Sequence, residues 1–185
     1  PLESKELIWE WLRQGWRYRV KQGNKEIEKR RSDYTARVKH QMKSIEDRGF
    51  IDSFLIMSDA VRWAKDRGIP MGPARGSAAA SLVCYLLRIT EIDSMQYPLM
   101  YFERFIAPDR EDTPDIDLDF DDERRIEVRD YLVSRYGADH VGNIGTFTNY
   151  KGKNSLDDIA RVYKIPENAV KTVKEMIIER SSGDL

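Results

Sequence analysis

From Asp115 to Phe120 the chain alternates acid and apolar residue at every step: Asp115-Ile116-Asp117-Leu118-Asp119-Phe120. A period of two predicts a strand, because successive side chains of extended backbone point to opposite faces. The three carboxylates then share one side, and Ile116, Leu118 and Phe120 pack on the other. Anionic groups held side by side repel one another unless a cation neutralises them. Oxygen-only donors of this kind suit a hard cation such as Mg²⁺. Two such ions, about 4 Å apart, can hold the attacking hydroxyl and the leaving phosphate of a phosphoryl transfer. An EF-hand calcium loop does not fit. Its sixth position, where glycine is required, falls on Phe120, and its twelfth, where glutamate is required, on Ile126. The plain alternative is a solvated acidic strand leading into a helix capped by Asp121 or Asp122.

A second stretch, Gly72-Pro73-Ala74-Arg75-Gly76-Ser77, runs into the small residues Ala78 to Ala80. A helix start there offers free N–H groups and a partial positive charge. With Arg75 beside it and the Ser77 hydroxyl outward, this is a candidate phosphate cradle. Ser81, one turn on, is expected on the same face as Ser77. No Gly-Lys-Ser/Thr follows, so the loop is not of the Walker type. The plain alternative is a tight turn with an ordinary capped helix.

Composition narrows the classes. The chain has 185 residues, 41% hydrophobic and 34% charged, with a formal net charge of −1. That supports one sizeable domain with charged helices, and lacks the basic excess that marks many nucleic-acid binders. One cysteine, Cys84, cannot make an internal disulfide, and two distant histidines, His40 and His140, argue against a structural zinc site. No apolar run approaches the roughly 20 residues that span a bilayer. A start at Pro1 and an end at Leu185 read as a segment of something longer.

Hydrophobic periodicity predicts a helix over 2–19, a polar linker over 22–31, and a helix carrying Tyr34, Val38, Met42 and Ile45 that ends at Gly49. The run 50–57 predicts a strand, followed by a helix capped by Ser58. Ser77 opens an apolar helix through Leu87. After the acidic strand come a helix ending at Gly137, a strand over 141–147, and helices over 155–163 and 167–180. Strands alternating with helices predict an α/β domain.

Taken in order, GPARGSAAASLVCYLLRITEID, FERF and PDIDLDFDDERR resemble the bacterial replicative DNA polymerase III alpha subunits, the C-family polymerases. The resemblance runs from about Tyr34 to Val162, with IGTFTNYKGKNSLDDIARV downstream. It implies a polymerase-beta-like nucleotidyltransferase palm, a mixed sheet with flanking helices, plus an N-terminal helical appendage. The implied division is appendage and linker over 1–32, an incomplete catalytic domain over 33–165, and a helix leading onward over 166–185. It also implies that Asp115 and Asp117 are catalytic ligands of two Mg²⁺ ions, and that Arg75, Gly76, Ser77, Arg104 and Lys153 contact the triphosphate. The expected activity is transfer of a deoxynucleotide to a primer 3′-hydroxyl with release of pyrophosphate during DNA replication.

The partners so implied are primer–template DNA, deoxynucleoside triphosphates and, through regions outside this chain, replisome proteins such as a sliding clamp. The expected setting is the cytoplasm of a bacterium or phage-infected bacterium, away from any membrane. The sequence departs from the family at Ala74 and at Ala79 or Ala80, where glycine is usual, and Tyr101 lengthens the spacer by one residue. The family's third catalytic aspartate falls beyond Leu185, so the segment alone is expected to be inactive. Two other functions share these motifs: a non-catalytic palm remnant that docks DNA or replisome proteins, and a template-independent nucleotidyltransferase.

Overall fold

The computed structural model describes residues 3–107, 113–147 and 152–177. The chain divides into two compact units, Pro1–Val141 and Gly142–Leu185. The first is built around one short helix, α5 (Leu82–Leu86), whose residues are all buried. Against it pack α1 (Ser4–Lys21) and α3 (Arg31–Asp47). α1 buries Ile8, Leu12, Gly15 and Arg19, spaced three or four residues apart as one helical face requires. α3 buries Tyr34, Val38, Gln41, Met42 and Ile45, as its periodicity predicts. A four-residue helix, α2 (Glu26–Lys29), occupies part of the expected linker and buries Ile27. At Gly15, α1 comes close to α5: a Cβ there would lie 1.7 Å from the Leu86 carbonyl oxygen.

A buried five-residue helix leaves most of its backbone groups without internal partners. Side chains from its neighbours supply them. At the start, Ser81 Oγ accepts from Cys84 N–H at 3.1 Å and Gln41 Oε1 from Val83 N–H at 3.1 Å. At the end, Arg19 donates to the carbonyls of Tyr85 (2.8 Å) and Thr90 (2.7 Å). From α4 (Ile51–Asp66), Ser58 donates to Leu87 O at 2.7 Å and Lys65 to Arg88 O at 2.6 Å. Glu91 then pairs with both Arg19 and Lys65.

The expected α/β palm with a mixed sheet is not what the chain forms. About two thirds of the described residues are helical, and among them β-pairing is one isolated antiparallel bridge, Met71 with Phe120. Three physical reasons account for the difference. The run 50–57 opens helix α4: Phe54, Leu55, Ser58 and Val61 recur at helical spacing, and Ser58 is a buried donor rather than a cap. Residues 141–147 make no regular structure, and Ile144 and Phe147 are almost fully exposed. The acidic stretch is extended, but its ladder reaches only Gly72 N–H to Asp119 O (3.0 Å) and Asp121 N–H to Pro70 O (3.1 Å). The next donor in register, Ala74 N–H, makes no backbone bond to the acidic segment among the described residues.

The expected helix over 77–87 is also interrupted. Gly76–Ala80 is a 3₁₀ turn, Ser81 is extended at φ −93° and ψ 117°, and α5 begins after it. Ser81 is therefore a buried cap and does not share an outward face with Ser77.

α6 (Arg125–Tyr136) lies on α4, placing Val128 and Leu132 against Ala60, Ala64 and Ile69. The Trp63 and Tyr131 rings stack at 4.5 Å, and Asp59 accepts from the hydroxyls of Tyr131 and Tyr136 at 2.8 and 2.9 Å. Gly137 ends the helix at φ 97°.

The second unit is a helical pair, α7 (Gly152–Tyr163) and α8 (Glu167–Met176), closed by buried Ala160 and Val170. Residues 178–180 of the expected last helix lie outside the described residues. Among the described residues no helix is long and apolar enough to cross a membrane.

Candidate functional site

The alternation from Asp115 to Phe120 survives without a sheet. All three aspartates are exposed, while Ile116, Leu118 and Phe120 are half-buried against the core. The core-facing side of an extended segment thus fixes which side presents the acids.

The loop from Gly72 lies across this segment. Gly76 takes φ +62°, a backbone geometry that L side chains rarely adopt, and a Cβ there would stand 3.0 Å from Asp117 Oδ2. Glycine at this position has two causes, the turn and the carboxylate beside it. Ala74, where the family usually has glycine, is not at positive φ, so the turn does not require glycine there. Arg75 Nη1 donates to Asp119 Oδ1 at 2.9 Å. The hydrogen bond and charge of Asp119, and then the charges of Asp117 and Asp115, hold the Arg75 guanidinium above its usual pKa.

Ser77, Arg104 and Asp115 line one cleft of about 560 Å³, together with Arg48 and Glu103. Phe102 and Phe105 flank Arg104 in the chain and are buried edge-to-face, 6.2 Å between centroids. They anchor a short turn that leaves Arg104 exposed. Glu103 faces His40 at 3.5 Å, and Arg104 makes no ion pair among the described residues. A cation is thus presented to the same cleft as the serine hydroxyl and the first carboxylate.

The structure brings together Gly76 with Asp117, and Ser77 with Arg104 and Asp115. Lys153 lies on α7 in the second unit, where it lines a cavity with Asp157, Glu167 and Lys171. The sequence pattern did not single out Arg48, whose neighbours Asp47 and Gly49 read only as a helix end. Nor did it separate Asp119 from the other acids, since nothing local distinguishes the carboxylate that pairs from those that do not.

The donor set can be tested against Mg²⁺. Among the described residues no group of three or more His, Cys, Asp or Glu side chains is arranged to hold a metal. Magnesium, however, usually takes one or two protein carboxylates and completes its octahedron with water and substrate phosphate. Two exposed aspartates on one face beside an open cleft fit that pattern.

Residues 6–184 match the model of a family described as the bacterial DNA polymerase III alpha NTPase domain. The DNA polymerase III alpha subunit of Deinococcus radiodurans is 45% identical over 141 residues, 76% of this chain and 10% of that protein. That of Thermus aquaticus is 45% identical over 141 residues, 76% of this chain and 12% of its own length. That of Xylella fastidiosa is 37% identical over 188 aligned positions, 96% of this chain and 15% of its own length. The chain thus spans roughly a tenth to a seventh of the length of these relatives.

Proposed function

The chain belongs to the bacterial DNA polymerase III alpha NTPase-domain family, and we propose that it carries the nucleotide-binding side of a DNA-directed DNA polymerase site. The reaction is attack of a primer 3′-hydroxyl on the α-phosphate of a deoxynucleoside triphosphate, releasing pyrophosphate. The observation that carries this reading is the approach of the Gly76–Ser77 turn to the face bearing Asp115 and Asp117, beside a cleft that also receives Arg104.

Each residue has a physical task. The Gly76 turn lets backbone and phosphate come close, since no Cβ intervenes. The Ser77 hydroxyl donates to a phosphate oxygen. Arg75 and Arg104 offset charge on the triphosphate and on the departing pyrophosphate, where fixed cations act without reorganising. Asp115 and Asp117 would hold two Mg²⁺ ions, whose chemistry is to lower the pKa of the attacking hydroxyl and neutralise charge on the phosphate. Asp115 and Asp117 also repel a triphosphate that arrives without metal, so nucleotide and cation bind together.

The substrates are primer–template DNA and deoxynucleoside triphosphates, and the setting is the cytoplasm of a bacterium or phage-infected bacterium. Contacts with other replisome proteins, a sliding clamp among them, are expected through regions outside these 185 residues. Only Asp115 and Asp117 are assigned here as metal ligands and no third catalytic carboxylate is assigned among the described residues, so the 185-residue segment by itself is expected to be inactive. The test is primer extension by the full-length protein carrying Asp117→Ala. Loss of extension with normal folding and DNA binding supports the reading, and normal extension overturns it.

A further inference from the structure

The approach of Gly76 to Asp117 poses a mechanical problem. The backbone ladder that holds the two segments stops at Gly72 and Asp119. Pro73 faces away from the acidic segment, its carbonyl accepting from Glu91 N–H at 2.6 Å. Three residues lie between Gly72, which makes the last backbone bond, and Gly76, with no further backbone bond to the acidic segment among the described residues. Across that gap runs one side-chain tie, Arg75 Nη1 to Asp119 Oδ1 at 2.9 Å. Asp119 thus grips the loop twice: its carbonyl accepts from Gly72 N–H, and its carboxylate accepts from Arg75. Arg75 is bonded to Gly76, and Asp119 sits two residues from Asp117 on the same face.

We infer that Asp119 is a positioning residue, which acts through Arg75 to set the distance between the Gly76–Ser77 turn and Asp117. It neither touches the substrate nor holds the metal. The inference rests on the polymerase reading of this site and adds a residue to it. Both side chains of the pair are more than half exposed. An ion pair so exposed adds little to global stability. Its effect is on placement, where an error of about 1 Å can cost roughly a hundredfold in rate.

The experiment is steady-state single-nucleotide incorporation by the full-length polymerase, with Asp119→Asn, Asp119→Glu, Arg75→Gln and the double variant Asp119→Asn/Arg75→Gln. Asp119→Asn is expected to lower kcat/KM for the deoxynucleotide about tenfold, with Tm and the Mg²⁺ dependence unchanged. Asp119→Glu recovers most of the loss, because the carboxylate returns. In the Arg75→Gln background the Asp119→Asn change has no further effect, since the residue it acts through is gone. Losses that multiply in the double variant overturn the inference, as does a shifted Mg²⁺ requirement in Asp119→Asn, which marks a metal ligand. Wild-type kinetics in Asp119→Asn also overturn it. Asp117→Ala, run in parallel, separates this from the reading beneath it: if that variant extends primers normally, the polymerase assignment fails whatever Asp119 does.

Discussion

Gly76 and Asp117 meet so closely that a methyl group on the glycine would sit 3.0 Å from the aspartate Oδ2, at a residue whose φ is already +62°. Gly76→Ala therefore meets both a left-handed backbone penalty of about 1–2 kcal/mol and a displaced carboxylate. The expected outcome is at least a tenfold fall in kcat/KM for the incoming nucleotide, with DNA affinity retained. Nucleotide-incorporation kinetics alongside a DNA-binding titration check it.

The contact between α1 and α5 gives a stability prediction away from the site. A Cβ at Gly15 would overlap the Leu86 carbonyl oxygen at 1.7 Å, and backbone cannot rotate aside as a side chain can. Gly15→Ala is expected to destabilise the first unit by about 1–3 kcal/mol or more, the range for overpacked cores. Urea unfolding followed by circular dichroism reads this directly.

Acid sensitivity follows from the Arg19–Glu91–Lys65 cluster. Burial raises the Glu91 pKa, but hydrogen bonds from Arg19 and Lys65 outweigh it, and the net shift is downward from 4.5. A carboxylate with a depressed folded pKa contributes stability above its unfolded value and loses it as pH falls through the folded one. The contribution is present at pH 7, begins to fade near pH 4.5 and is lost as pH falls through the lower folded value. Glu91→Gln should lower stability at neutral pH and flatten its decline in acid. Thermal melts from pH 3 to pH 7 on both proteins test the sign.

Cys84 is fully buried, and that burial pushes its thiol up to about 12. A thiol reagent at pH 8 is expected to leave the folded chain unmodified and to react in step with unfolding in urea. Rapid labelling of the native protein would contradict this packing.

What the sequence disclosed follows the kind of signal each residue carries. The alternation from Asp115 to Phe120 told which side chains face out, because that depends on local backbone alone. It could not tell whether a strand lay alongside, because pairing depends on a distant partner, and here it amounts to one bridge. Residues 50–57 read as a strand because eight mostly apolar residues fit either period. The helix became distinguishable only when extended to Val61 and Ala64. Ser81 read as an outward neighbour of Ser77, because the break between a 3₁₀ turn and α5 leaves no mark in the composition. The motifs themselves gave the family, which 37–46% identity to named relatives bears out. The Arg75–Asp119 tie was not legible, since it joins residues 44 positions apart.

The central claim is that Asp115 and Asp117 bind metal together with a triphosphate presented by the Gly76–Ser77 turn. The direct measurement is Mn²⁺ binding to the full-length protein by electron paramagnetic resonance, with and without a deoxynucleoside triphosphate, for wild type and for Asp115→Asn/Asp117→Asn. The account predicts nucleotide-dependent Mn²⁺ binding in the wild type that the double variant loses while its fold is unchanged. Equal Mn²⁺ occupancy in both proteins would contradict it.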